Sequence, residues 1–98
     1  MEARYHVDVT ATADKELARI RRGQPKDAER LERAMIGLSD DPRPAGCTPV
    51  KGVPGIWRIR VGDYRICYTI EHDVLTVLVL LIHTRGDVYP QLLRLLGR

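Results

Sequence analysis

The chain has 98 residues, 44% hydrophobic and 30% charged, with a formal net charge of +3. That length fits one domain, and the balance is that of a chain folding around its own core, which excludes a disordered tail or a fibrous repeat. The longest apolar run, Val77 to Ile82, is far too short to span a bilayer, and Glu2 and Arg4 stand where an export signal would be apolar, so a cytoplasmic protein with no membrane partner is expected.

Tyr5, Val7 and Val9 alternate with His6 and Asp8, which predicts a half-buried strand over residues 3–10. Thr10 or Thr12 can cap a helix over 13–22, in which Ala13, Leu17 and Ile20 recur at helical spacing and Gly23 offers a left-handed stop. Pro25 suits the first turn of a second helix, with Asp27 and Glu29 at its positive end. Ala28, Leu31, Met35 and Leu38 form its apolar stripe, Glu29 and Arg33 pair four apart on the solvated side, and Asp40-Asp41-Pro42 closes it.

Between Pro42 and Gly55 lie four prolines and three glycines, the mark of a loop. Beyond it Trp57, Ile59 and Val61 alternate with Arg58 and Arg60, and after Gly62-Asp63 alternation resumes through Tyr64, Ile66, Tyr68 and Ile70. A Gly-Asp pair between two such runs predicts an antiparallel hairpin with a two-residue turn. The run Val74 to Thr84 is apolar on both alternate sets, as in a central strand covered on both faces, and Pro90 opens a short Leu-rich helix to Gly97. Cys47 and Cys67 are isolated and lack metal-ligand spacing, so reduced thiols are expected, with no metal and no cofactor.

The predicted hairpin register sets Val61 opposite Tyr64 and Arg60 opposite Arg65, with Arg58 two residues along the same face. Like charges facing across strands destabilise a sheet, so an anion is expected to relieve them. From Gly55 to Asp87 the cations are Arg58, Arg60, Arg65 and Arg85, with no lysine, and arginine's planar fork suits phosphate. The bland alternative is that each arginine only extends its head into water. His83 is a possible titratable group, but straight alternation sets it with Val77, Val79 and Leu81, which favours a packed histidine. The same count sends Arg85 to the face opposite Arg65 unless a bulge turns it back.

The order of elements, with the stretch Gly55-Ile56-Trp57-Arg58-Ile59-Arg60-Val61-Gly62-Asp63-Tyr64-Arg65-Ile66 and the closing Arg85-Gly86-Asp87-Val88-Tyr89, resembles the RelE/ParE toxin superfamily. The resemblance covers nearly the whole chain and implies a single α+β domain over residues 1–98. Its order is β-α-α-β-β-β, with a twisted antiparallel sheet, an N-terminal αα-hairpin on one face and a short C-terminal helix. In the RelE branch the implied activity is ribosome-dependent mRNA cleavage, by attack of a ribose 2′-hydroxyl on the adjacent phosphodiester. Arg58 and Arg60 would hold phosphate and ribosomal RNA, and Arg65 would neutralise the transition state. Arg85 would stabilise charge at the leaving side, and Tyr89 would stack on a base or orient the attacking group. The resemblance departs where better-known members carry lysines at the positions of Arg58 and Arg60, since arginine cannot serve as a base. Implied partners are a cognate antitoxin, the ribosome and mRNA, and a toxin–antitoxin hetero-oligomer that binds operator DNA through the antitoxin. Two other readings stand beside this one: a ParE-like inhibitor of DNA gyrase, and an inactive relative that only binds an antitoxin or nucleic acid.

Overall fold

The structure, a computed structural model, describes residues 4–84 and 88–97. Its elements run β1 (His6–Val9), α1 (Ala11–Gly23), α2 (Pro25–Asp40), β2 (Thr48–Pro49), β3 (Ile56–Val61), β4 (Tyr64–Glu71), β5 (Thr76–His83) and α3 (Tyr89–Leu95), an α+β architecture. One sheet of order β1-β5-β4-β3-β2 forms the middle layer. The meander β3-β4-β5 is antiparallel as expected, while β1 joins β5 in parallel and makes the sheet mixed. A parallel neighbour needs a long connection, and the helices and meander between β1 and β5 supply it.

Thr10 is the cap of α1 and serves twice. Its hydroxyl oxygen accepts from the Ala13 amide at 3.2 Å and its proton goes to the Leu80 carbonyl at 2.8 Å, tying the helix start to the central strand. Gly23 is not left-handed. The chain turns instead at Gln24, whose amide donates to the Ile20 carbonyl, and Pro25 starts α2 at once. The Glu29–Arg33 pair forms at 2.6 Å, and Arg21 of α1 bonds Glu32 of α2, so the two helices are laced on their outer face.

The apolar stripes of α1 and α2 pack with Ile59, Tyr64, Ile66, Tyr68, Val77, Val79 and Ile82 on one face of the sheet. The opposite face carries a smaller cluster under α3, in which Val53, Ile56, Cys67, Leu80, Leu81, Val88 and Leu92 meet. The central strand β5 is thus covered on both sides, as its double apolar pattern requires. Two expectations shift. Val74 and Leu75 lie exposed in the turn before β5, with Leu75 at φ 47°, and part of the Pro/Gly loop is the edge strand β2. Pro49 fits an edge because it has no amide to donate. No helix among the described residues is long and apolar enough to cross a membrane.

Candidate functional site

The hairpin closes at Gly62-Asp63, with Gly62 at φ +60° and Asp63 outside the positive-φ region, the signature of a type II′ turn with glycine first. Register then follows: Val61 pairs with Tyr64, Arg60 with Arg65 and Arg58 with Cys67. Arg58, Arg60 and Arg65 therefore share one face of the sheet, on the side of α3. Arg60 is exposed, while Arg58 and Arg65 are half-buried. Among the described residues no carboxylate stands at ion-pair distance from any of the three. The face grades from leucines and Cys67 beneath α3 to the guanidiniums at the hairpin end.

A bulge decides where His83 points. Cys67 pairs with Leu81 but Tyr68 pairs with Val79, which leaves Leu80 without a partner across β4. Leu80 and Leu81 both belong to the cluster under α3, whereas Val79 and Ile82 belong to the helical core. Alternation is reversed beyond that point, so His83 pairs with Arg65 on the arginine face and is not aligned with Val77 and Val79. Straight counting missed this because every residue from Val77 to Ile82 is apolar and parity leaves no trace there. Arg85 lies outside the described residues. Tyr89 begins α3, half-buried against the second cluster, and a Cβ on Gly52 would come within 3.0 Å of its Cε1, so the ring lies on that glycine.

Cys67 sits between Arg58 and Arg65 in this face but is fully enclosed. Burial pushes its thiol up to about 11, against a smaller downward pull from the two arginines. Both cysteines are free thiols, and Cys47 is half-buried. At pH 8 the native protein should give one rapidly alkylated thiol, Cys47, and two once it is unfolded in urea; rapid native labelling of Cys67 would contradict its enclosure. Because the folded value is raised, the stability contributed by the neutral thiol is intact below the ordinary thiol range and is lost as pH climbs from there through about 11.

Periodicity gave no sign of a second group of residues, at the hairpin tip. Gln24, Asp27 and Arg30 meet Gly62, Tyr64 and Thr84 around an open polar cleft of about 320 Å³. The Tyr64 phenol is pushed up by burial and then by its hydrogen bond to Asp27. These contacts join residues about forty positions apart, as Tyr64 and Gln24 are, which local pattern does not encode.

The fold is a sheet with a helical hairpin on one face and three arginines of its own β3–β4 hairpin on the other, and comparison with known proteins gives it a class, the RelE/ParE toxins. The sequence agrees: residues 7–89 match the family model of the ParE toxin of type II toxin–antitoxin systems, and the chain belongs to that family. It is similar to the toxin–antitoxin complex RelBE2 from Mycobacterium tuberculosis, at 27% identity and a TM-score of 0.74 over 89% of this chain and 98% of that one. The archaeal RelE–RelB complex from Pyrococcus horikoshii aligns at 22% identity and a TM-score of 0.71, over 84% of this chain and 96% of the other. The YoeB/ParE toxin from Agrobacterium tumefaciens aligns at 16% identity and a TM-score of 0.73, over 83% and 99%. The last two likenesses bear on the fold alone. No curated protein matches the chain significantly in sequence.

Proposed function

We propose that this toxin is an endoribonuclease that cleaves mRNA held in the ribosome and so stops translation. The observation that carries the reading is the Arg60–Arg65 pair, two cations set directly opposite on neighbouring strands with Arg58 beside them and no carboxylate partner among the described residues. Such a pair weakens the free protein and favours binding of a polyanion. Cleavage by the neighbouring 2′-hydroxyl depends on positioning and on charge stabilisation, which fixed guanidiniums supply. Arg58 and Arg60 hold phosphate and ribosomal RNA, Arg65 stabilises the phosphorane-like transition state, Arg85 the charge on the leaving side, and Tyr89 stacks on a base. Since arginine cannot take a proton, the His83 imidazole, opposite Arg65 on this face, is the side chain we assign to proton transfer. A cognate antitoxin covers the arginine face in the resting complex, and that complex reaches operator DNA through the antitoxin.

One finding favours a second reading, gyrase inhibition: the matched family model is that of ParE. Cleavage mapping of a defined mRNA, with and without programmed ribosomes, run beside a gyrase supercoiling assay, separates the two. Cuts that require the ribosome support the nuclease; inhibited supercoiling with intact mRNA supports the gyrase reading. Intact mRNA together with uninhibited supercoiling would leave a binding module.

A further inference from the structure

Arg60 and Arg65 occupy the last rung but one before the turn, where a hairpin frays most easily and where their repulsion opposes closure. Contacts from α2 hold this tip down. The Tyr64 hydroxyl lies 2.9 Å from Oδ2 of Asp27 and 2.8 Å from Oε1 of Gln24. One hydroxyl has one proton, which goes to the carboxylate as the stronger acceptor, and the Gln24 amide, turned end for end, donates into the phenol oxygen. Gln24 occupies the N-cap of α2 without capping it through its side chain. The Arg30 guanidinium lies against Gly62, where a Cβ would come within 3.0 Å of Nη2.

We infer that Tyr64 is a positioning residue: its hydroxyl, bonded to Asp27, pins the turn to α2 and holds the Arg60–Arg65 rung closed, so that both guanidiniums are directed at one anion. Tyr64 adjoins Arg65 in the chain, but its ring lies in the helical core on the other face, so it acts only through the backbone. The inference rests on the nuclease reading for its activity arm and is independent of it for the hairpin itself.

Three variants of the full chain test it: Tyr64→Phe, Asp27→Ala and Asp27→Asn. Phenylalanine keeps the core filled, and asparagine keeps a carbonyl for the hydroxyl while dropping the charge. Losing a hydrogen bond to a charged group should speed amide exchange over residues 60–65 about tenfold in Tyr64→Phe and Asp27→Ala. The Asp27→Asn variant should stay within about threefold of wild type, since a neutral acceptor still serves the phenol. On programmed ribosomes the first two should lose kcat with a smaller change in KM, because the arginines are still present but misaimed. Unchanged exchange in Tyr64→Phe overturns the inference, as does an Asp27→Asn variant as damaged as Asp27→Ala, which would implicate charge alone. If wild type cleaves nothing, the nuclease reading falls while the exchange pattern still decides this one.

Discussion

On the nuclease reading proposed above, Arg65→Ala should lower ribosome-dependent cleavage by at least about a hundredfold, the loss typical of removing one preorganised group that stabilises developing charge. Arg65 is the guanidinium best placed for that work, half-buried on β4 with Arg60 on one flank and His83 on the other. The fold should not suffer. Truncation removes the like-charge pair, so stability should hold or rise by up to about 1 kcal/mol, the scale of cross-strand pair energies. Activity and stability thus move in opposite directions, which distinguishes loss of chemistry from loss of fold. Lysine at the same position keeps charge but not the planar fork, so Arg65→Lys should recover only part of the rate. Cleavage by Arg65→Ala at the wild-type rate would remove this residue from the mechanism.

Tyr68→Ala should cost about 3–5 kcal/mol, the range for deleting a fully enclosed large aromatic ring. Tyr68 is 0% exposed, lies where the β4–β5 register shifts, and donates its hydroxyl proton to the Pro42 carbonyl at 2.7 Å. The residue therefore fills the helical core and fastens the start of the Pro/Gly loop. Since a small domain has about 5–15 kcal/mol in hand, the alanine variant should unfold at far lower urea. Tyr68→Phe separates the two roles, and its loss should be about 1 kcal/mol, that of one neutral hydrogen bond. Burial holds the Tyr68 phenol far above its ordinary range, so the stability of the neutral form is complete below that range and drains away as pH rises above it. The phenylalanine variant should lack this part of the alkaline loss. Urea midpoints at neutral and alkaline pH report both effects, and an alanine variant within about 1 kcal/mol of wild type would contradict the packing account.

The parts of this fold that were legible in the sequence are those written in local period. The Arg58–Arg60 alternation and the Gly62-Asp63 break define the hairpin and its register, because a two-residue turn leaves no freedom to slip. Pro25 and the Ala28–Leu38 stripe define α2 for the same reason. The parallel pairing of β1 is not a local property, since four residues of alternation do not say which strand they will join. Thr48–Pro49 is too short and too irregular to register as a strand. For the site, the three arginines on one face followed from the hairpin, but the side of His83 depended on Leu80 having no partner, and the tip contacts of Tyr64 depended on tertiary geometry.

The unmatched Leu80 makes β5 a message with a one-letter insertion. Upstream of it odd positions address the helices; downstream, even ones do. Deleting Leu80 would remove the insertion and its bulge together and leave Ile82 and His83 on their present faces, whereas straightening the strand with Leu80 kept would exchange inside for outside in all that follows, driving the His83 imidazole toward the oily layer and offering Ile82 to the cations. A core designer who smoothed the strand into a regular zigzag would keep every apolar residue and still dismantle the charged face.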